Sequence, residues 1–241
     1  MLRRNPCQES FLGYRVRVLD YDVFYHLFRE IFIKGEYRFS SNNRHPRIID
    51  AGSNIGMSLL YFKYYYPDAE IIAFEPGKDA FKALQYNCRV NRLTKVRLYE
   101  YALGKKDGTL EFYTPKERWG GVTDTVIIGK GEKAKFDVYE VKSRRLSSFV
   151  KGRIDFMKMD IEGAELEVFA ELAAENKLQR IANFTLEYHH HNHTSGAFLG
   201  NFLKILEANG FDYMLSARHY GAYEPGGTQV VMVYASRTKS K

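Results

Sequence analysis

Short apolar runs alternate with stretches of helical periodicity along most of the chain. Apolar residues at 48–49, 71–74 and 96–99 predict strands, and the segments between them place apolar side chains at helical spacing. Pro67 ends the first of these helices, and residues 78–89 form the second. Strands joined by crossover helices form parallel sheets. The pattern over this half of the chain therefore predicts an α/β fold.

The same alternation continues in the second half. Four elements follow in this order: a strand at 154–159, a helix at 164–172, a strand at 181–188 and a helix at 198–209. Gly210 directly follows the last of these helices, which is typical of a helix end. Two final strands are predicted at 211–215 and 229–234, with no helix between them.

Two regions depart from the alternating order. Residues 108–145 contain short β segments around a loop at 119–121, which predicts an antiparallel excursion. Near the N-terminus, residues 21–33 can be written as a helix. We therefore expect an N-terminal cap segment over residues 1–45 and one α/β domain over 46–241 that contains the β-rich excursion.

Composition places the chain among ordinary globular proteins. Of its 241 residues, 45% are hydrophobic and 27% are charged, which excludes disorder or a fibrous repeat as a description of the whole chain. No window of about 18 uncharged apolar residues occurs, so no membrane span is expected. The basic N-terminus leads into no apolar core, so no signal peptide is expected. With only two cysteines, Cys7 and Cys88, we predict a cytoplasmic protein.

A glycine-rich turn follows the first α/β strand. It contains Asp50, Gly52, Asn54 and Gly56 at alternate positions and leads directly into a helix. Glycine lets a ligand approach the backbone closely, and the free N–H groups of a helix N-terminus attract polar groups. Glu75 ends the next strand, where a carboxylate can accept hydrogen bonds from both hydroxyls of a ribose. These residues together predict a site for an adenosine-containing ligand.

Asn54 distinguishes between adenosine cofactors. Dinucleotide enzymes carry a second glycine at this position of Gly-x-Gly-x-x-Gly, because the pyrophosphate needs the space, whereas Asn54 has a side chain. The turn is better suited to the amino acid moiety of S-adenosylmethionine, whose ammonium group can bind Asp50. A nicotinamide-dependent oxidoreductase is therefore disfavoured.

Acidic residues follow the strand at 154–159. Asp160 is expected at the strand tip, in the same crevice as the glycine turn, and Glu162 in the turn that follows. Two carboxylates beside a sulfonium can bind the cation, orient the amino group or hold a substrate hydroxyl. Glu165 begins the next helix, where an acidic residue interacts favourably with the helix dipole, and this is the better interpretation for it.

Histidines end the strand at 181–188. Strand alternation puts Glu187 and His189 on one face of the strand and Tyr188 on the other. A histidine at the crevice edge is suited to deprotonate a hydroxyl nucleophile, because its pKa lies near neutrality. A metal site formed by Asp160, Glu187 and a histidine is an alternative. No tight ligand spacing supports that site, so no metal is predicted.

Six segments of the chain occur in the order that one enzyme family shows. They are IIDAGSNIG at 48–56, FEP at 74–76, YALG at 101–104, DGTLEFY at 107–113, KMDIEGAE at 158–165 and LEYH at 186–189. The chain thereby resembles the FkbM-type family of S-adenosylmethionine-dependent methyltransferases. The resemblance implies a Rossmann-like seven-stranded sheet, mostly parallel with an antiparallel last strand and with helices on both faces.

The resemblance also implies roles for individual positions. The cofactor-binding residues would be Asp50, Gly52, Asn54 and Gly56 for the methionine part, Glu75 for the ribose, Tyr101 and Ala102 for the adenine, and Asp160 beside the methyl group. Asp160, Glu162 and His189 are the predicted catalytic residues. The assignment of His189 as general base is an extension of the family pattern, which specifies that position less firmly.

The chain is thus predicted to be an O-methyltransferase that acts on a hydroxyl of a sugar, a glycan or another small natural product. The net charge of +7 leaves RNA ribose O-methylation as an alternative. The basic residues form no dense run, however, so a nucleic acid substrate is not expected. A non-catalytic protein that binds an adenosine cofactor is the second alternative, and the oligomeric state stays open.

Overall fold

A computed structural model of the chain describes residues 7–116, 133–190, 199–218 and 229–237. The strands of this part are β1 (Cys7–Phe11), β2 (Tyr14–Val18), β3 (Arg47–Ala51), β4 (Glu70–Phe74), β5 (Val96–Tyr99), β6 (Ala102–Leu103), β7 (Gly108–Pro115), β8 (Phe136–Arg144), β9 (Phe156–Met159), β10 (Asn183–His190), β11 (Phe211–Arg218) and β12 (Gln229–Arg237). The α-helices are α1 (Tyr21–Phe28), α2 (Met57–Tyr65), α3 (Lys78–Val90), α4 (Glu165–Ala174) and α5 (Leu199–Ala208).

Seven of these strands form one sheet in the order β11-β12-β10-β9-β3-β4-β5. Neighbouring strands pair in parallel except at β12, which is antiparallel to both β10 and β11. The predicted seven-stranded, mostly parallel sheet with an antiparallel last strand is confirmed. The chain runs from β3 to β4 and β5 on one side and then to β9 and β10 on the other. Ligands bind α/β sheets where the strand order reverses in this way, outside the carboxyl ends of the strands.

Three strand ends meet at this reversal. Ala51, the last residue of β3, lies opposite Phe74 of β4 and Met159 of β9. The residues that follow in each segment therefore start at the same edge of the sheet. They are the glycine turn, Glu75 and Asp160, respectively.

The predicted helices on both faces of the sheet are also confirmed. Alternate strand residues point to opposite faces, so Ile48 is buried with Phe62 of α2 and Leu84 of α3, whereas Ile49 is buried with Phe169 of α4. Each of these side chains is at most 1% exposed. The two faces thus have separate apolar cores, which together hold the strand ends in place.

The N-terminal segment covers α2. Residues 57–63 of this helix are all buried, and the π-helical turn Arg29–Ile33 packs directly against it. Side chains of β2 and α1 belong to the same apolar core. Phe32 packs edge-on against Tyr61, with 5.3 Å between the ring centroids. The helix predicted at 21–33 is therefore α-helical only in its first part and π-helical in its last turn.

Two asparagines of α3 hold the hairpin of β1 and β2. Asn87 accepts a hydrogen bond from the N–H of Arg17 at 2.7 Å and donates to its carbonyl oxygen at 3.2 Å. Asn91 forms the same pair of bonds with Arg15, at 2.8 and 2.7 Å. The two side-chain amides thus satisfy the backbone N–H and carbonyl groups on the edge of β2, which in a larger sheet would pair with a further strand. The hairpin was missed from the sequence because these partners are distant along the chain.

A second, three-stranded sheet contains β6, β8 and β7 in that order. β7 and β8 pair antiparallel inside the region 108–145, where β segments are expected. The predicted loop at 119–121 and the connection between β11 and β12 lie outside the described residues. The division of the chain at residue 45 stays a prediction. Among the helices of the described part, none is long and apolar enough to cross a membrane.

Candidate active site

The glycine turn contains two positions that leave no room for a side chain. Gly52 has φ +80°, and a Cβ atom there would lie 1.7 Å from the carbonyl oxygen of Asp160. Gly56 has φ +93° and forms the N-cap of α2, where a Cβ atom would lie 2.7 Å from Cδ1 of Leu84. Glycine at both positions therefore lets the end of β3 pass close to β9 and to α3.

Glu75 is joined to this turn by backbone hydrogen bonds. Its Oε2 accepts from the N–H of Asn54 at 2.8 Å, and its Oε1 accepts from the N–H of Gly77 at 2.7 Å. The N–H of Gly52 donates to the carbonyl oxygen of Phe74 at 3.0 Å. A carboxylate oxygen has two lone pairs, so these bonds do not exclude a ligand hydroxyl. The carboxylate of Glu75 thus lies beside the turn. Its predicted hydrogen bonds to a ribose stay a prediction.

A buried lysine lies beneath the turn. Lys158, in β9, is 3% exposed, and its Nζ donates to the carbonyl oxygens of Ala51, at 3.3 Å, and of Gly52. The same Nζ is 3.5 Å from Asp160 Oδ2 and 3.8 Å from Asp50 Oδ1. Burial alone lowers the pKa of Lys158, but the carboxylates of Asp160 and Asp50 raise it above its ordinary value. The sequence reasoning missed Lys158, although a lysine inside the apolar run FMKM is a signal for a paired buried charge.

Asp50 lies under the turn as well. It has no exposed surface, and its Oδ2 accepts a hydrogen bond from Ser58 Oγ at 2.5 Å. Burial raises the pKa of Asp50, although Lys158 and Ser58 act to lower it. These contacts give Asp50 a structural role between α2 and β9, and its bond to an ammonium group stays a prediction.

The structure brings the three predicted catalytic side chains together. Asp160 follows β9, Glu162 lies in the turn before α4 with φ +55°, and His189 belongs to β10. One donor atom from each residue lies within 4.8 Å of the other two, and His189 Nε2 is 3.4 Å from Glu162 Oε2. Because β9 and β10 are adjacent and parallel, their carboxyl ends deliver these groups to one edge. Their catalytic roles stay predictions.

Two further carboxylates complete the cluster. Glu165, the first residue of α4, has Oε1 at 3.0 Å from His189 Nδ1. The same oxygen accepts hydrogen bonds from the N–H groups of Gly163, at 3.0 Å, and Ile161, at 3.3 Å. Glu187 Oε1 lies 3.8 Å from Nε2 of His189. From the sequence, the position of Glu165 at the start of a helix indicated only an interaction with the helix dipole. The contact of Glu165 with His189 was not predicted.

These carboxylates change the charge of the cluster. Burial alone lowers the pKa of His189, but Glu165 and Glu162 raise it well above its ordinary value. Burial and the charge of Asp160 raise the pKa of Glu187 to about 7, against the lowering effect of His189. Burial also raises the pKa of Glu162 well above its ordinary value. The pKa values of His189, Glu162 and Glu187 are thus all shifted upward, so each of these groups keeps its proton to a higher pH than it would in water.

The same cluster has donor types that divalent ions accept. Among the described residues, the set whose ligand atoms all lie within 4.8 Å of one another is Asp160, Glu162 and His189, whereas the set considered from the sequence contains Glu187 in place of Glu162. Acidic groups also cluster in proteins without an ion, and Lys158 Nζ already lies 3.5 Å from Asp160 Oδ2 as a positive partner. The absence of a metal stays a prediction.

The two residues predicted to flank an adenine lie in different surroundings. Tyr101 follows β5, and its ring stacks on that of Tyr99 with a centroid separation of 5.7 Å. Ala102 begins β6 and is 2% exposed, packed with Phe112 and Val141. The Tyr101 ring thus has two neighbours, Tyr99 and the Arg144 guanidinium 5.2 Å from the ring centroid, whereas the side chain of Ala102 belongs to a small core. Both adenine contacts stay predictions.

Comparison with known proteins identifies related sequences. The model of the methyltransferase FkbM domain matches residues 50–213, which contain the glycine turn and the whole cluster. Methyltransferase 1 of Beauveria bassiana is 31% identical in an alignment of 167 residues that covers 61% of this chain and 67% of that protein. The 2-O-methyltransferase NoeI of Sinorhizobium fredii is 29% identical over 142 residues, or 52% of this chain and 56% of that protein. The matches thus span about two thirds of the first relative and little more than half of the second.

Solved structures support the same architecture. The crystal structure of a methyltransferase FkbM from Methylobacillus flagellatus KT superimposes with a TM-score of 0.53 at 19% sequence identity. The superposition covers 84% of this chain and 46% of that chain. At this identity the likeness concerns the fold, which is that of Rossmann-like methyltransferases.

Proposed function

Because the chain belongs to the FkbM methyltransferase family, we propose that it is an S-adenosylmethionine-dependent O-methyltransferase whose acceptor is a hydroxyl of a sugar, a glycan or another small natural product. One observation carries this proposal. The glycine turn with Glu75 and the cluster of Asp160, Glu162 and His189 lie at the same edge of the sheet, on the ends of neighbouring strands. The turn assigned to the cofactor and the cluster assigned to proton transfer would thus be side by side.

The charges at this edge suit a cationic cofactor. Glu75, Asp160 and Glu162 are all acidic, and Lys158 Nζ is turned inward toward backbone carbonyl oxygens. A sulfonium and an ammonium group gain favourable interactions there, whereas a pyrophosphate would meet repulsion. Asn54 supports the same choice, since its side chain occupies the position of a pyrophosphate-binding glycine. S-adenosylmethionine therefore agrees with these residues better than a dinucleotide.

The chemistry assigned to the cofactor is simple. When bound, S-adenosylmethionine supplies a methyl carbon that bonds to the acceptor oxygen while the carbon–sulfur bond breaks and its electron pair goes to sulfur. The chain supplies alignment of the two reactants, which is worth up to about 7–11 kcal/mol when the geometry is ideal. His189 takes the hydroxyl proton at Nε2, which adds about 10²–10⁴-fold to the rate. Asp160 and Glu162 orient the acceptor and interact with the positive charge of the sulfonium.

A hydroxyl acceptor is supported by the cluster and by one relative. An imidazole among carboxylates is suited to remove a proton from oxygen, and the relative NoeI carries the description 2-O-methyltransferase. RNA ribose O-methylation involves the same chemistry and remains the second candidate, which the net charge of +7 supports. Binding to RNA would weaken steeply with salt concentration, because it releases counterions from the phosphates.

Calorimetric titration with S-adenosylmethionine, S-adenosylhomocysteine and NAD tests the cofactor. We expect micromolar affinity for the first two and none for NAD. Transfer of the labelled methyl group from S-adenosylmethionine to a panel of sugars, glycans and RNA, at two salt concentrations, then tests the acceptor. Binding of NAD alone, or of none of the three, would overturn the proposal. Cofactor binding without transfer to any acceptor would favour the non-catalytic alternative.

A further inference from the structure

Glu165 is the most deeply buried carboxylate in contact with His189. Its side chain is 1% exposed, whereas those of Glu162 and Glu187 are 25% and 17% exposed. Its Oε1 is held by two backbone N–H groups of the turn that precedes α4. The carboxylate therefore has a fixed position, and its contact with the imidazole is the shortest in the cluster.

This contact determines where His189 carries its proton. A carboxylate can only accept hydrogen bonds, so the 3.0 Å contact between Glu165 Oε1 and His189 Nδ1 requires the proton on Nδ1. The hydrogen bond made by one ring nitrogen sets the state of the other. In neutral His189, Nε2 therefore keeps its lone pair. That atom lies at the cluster, 3.4 Å from Glu162 Oε2 and 3.8 Å from Glu187 Oε1.

We propose that Glu165 is a positioning residue that holds the imidazole of His189 with its proton on Nδ1 and its Nε2 directed at the acceptor hydroxyl. The inference rests on the proposed function, in which His189 removes the hydroxyl proton. Glu165 does not touch the reacting atoms. It acts through His189, in the way that a carboxylate orients the histidine of a catalytic triad.

Glu165 also stabilises the product of proton transfer. The proton that leaves the hydroxyl binds Nε2, and the resulting imidazolium faces carboxylates from α4, from the turn before α4 and from β10. These groups are Glu165 from α4, Glu162 from the turn before α4, and Glu187 on β10, with Asp160 and Lys158 adjacent to them. Val230 of β12 lies opposite His189 and carries no charge. Glu165 has the largest effect of these carboxylates in raising the pKa of His189.

The test compares Glu165→Gln with Glu167→Gln. The glutamine keeps an oxygen that can accept the two backbone N–H groups, so the start of α4 is preserved while the negative charge is removed. Glu167 lies on the same helix but is exposed and paired with Lys105 at 3.0 Å, so its substitution is a matched control. Nitrogen-15 NMR of histidine-labelled protein measures the titration of His189, whose signals are assigned by their absence in His189→Asn.

The expected result for Glu165→Gln is a His189 pKa lower by about 1–3 units, because an adjacent opposite charge is lost. The acid limb of the kcat–pH profile should move to lower pH by the same amount. Its plateau should fall about tenfold, since a less basic imidazole is a weaker proton acceptor. The KM for the acceptor and the affinity for S-adenosylmethionine should change less than twofold. Glu167→Gln should behave as the unmodified protein in every measurement.

A purely structural role for Glu165 predicts another outcome. The variant would then lose thermal stability, while the pKa of His189 and the acid limb of the kcat–pH profile would be unchanged. This result would overturn the proposal. The NMR titration needs no methyl acceptor. A chain that methylates nothing would therefore invalidate the proposed function while the pairing of Glu165 with His189 is still measured. An unchanged His189 pKa in an active enzyme would invalidate the pairing alone.

Discussion

The two halves of the candidate site are built in different ways. The turn after β3 is made by the backbone: Gly52 passes within contact distance of β9, and Glu75 accepts hydrogen bonds from main-chain N–H groups. The cluster after β9 and β10 is made by side chains, with His189 between Glu162 and Glu165. The turn is therefore defined by close packing of the backbone, whereas the cluster is defined by the positions of its charged side chains.

This difference indicates what each half tolerates. A backbone turn is sensitive to any added atom, because a side chain has no space at its closest approach. A charge cluster tolerates changes of shape but responds to the loss of one charge through the pKa values of the others. Substitutions in the turn should therefore affect folding and cofactor affinity, and substitutions in the cluster should affect the chemical step.

His189→Asn should have the largest effect. Loss of the general base is expected to lower kcat by about 10²–10⁴-fold, while the affinity for S-adenosylmethionine stays within threefold. Asparagine can still donate a hydrogen bond toward Glu165, which limits structural damage. Calorimetry and steady-state transfer assays measure the two quantities, and His45→Asn, at an exposed position, is the control. A variant with normal turnover would assign the base to another residue.

Gly52→Ala should lower the free energy of unfolding by about 3 kcal/mol. The new Cβ would overlap the backbone oxygen of Asp160, and φ +80° is unfavourable for alanine. Urea denaturation followed by circular dichroism measures the loss. Gly200→Ala is the matched control, because a Cβ there has no atom within 4 Å, and alanine in α5 should stabilise by up to about 1 kcal/mol. Equal stability of both variants would contradict the close approach of β3 and β9.

Glu75→Ala should weaken the affinity for S-adenosylmethionine by about 10- to 30-fold, with a much smaller change in kcat. A hydrogen bond to a charged group contributes about 1.5–3 kcal/mol, and the lower part of this range corresponds to the expected loss of affinity. Glu70→Ala, at the exposed opposite end of β4, should leave the affinity unchanged. If calorimetry gives the same dissociation constant for both variants, Glu75 has no role at the ribose.

Removal of divalent ions should have the smallest effect. With Nε2 of His189 acting as the base, the initial rate in EDTA should stay within twofold of the rate in magnesium. The comparison needs only the unmodified protein and the transfer assay. A rate that falls to background in EDTA and returns with magnesium or manganese would instead make Asp160, Glu162 and His189 ligands of a cation.

Much of the fold follows from local patterns. The βα order, the positions of Gly52 and Glu75 at strand ends, and the placement of Asp160 and His189 at one edge were all predicted, because strand alternation and crossover connections are local rules. The hairpin of β1 and β2 was not predicted, since the side chains that hold it belong to α3. The burial of α2 on all sides was missed for the same reason.

The sequence by itself determined the alternation of strands and helices after the N-terminal segment, the glycine turn and the family, because each depends on neighbouring residues or on short segments. Only the tertiary structure decided that Lys158 is paired beneath the turn and that Glu165 bonds to the imidazole of His189. These pairs join residues of different elements, and their pKa values depend on burial and on charges that only packing brings together. The acid–base character of this site is consequently a property of the folded chain.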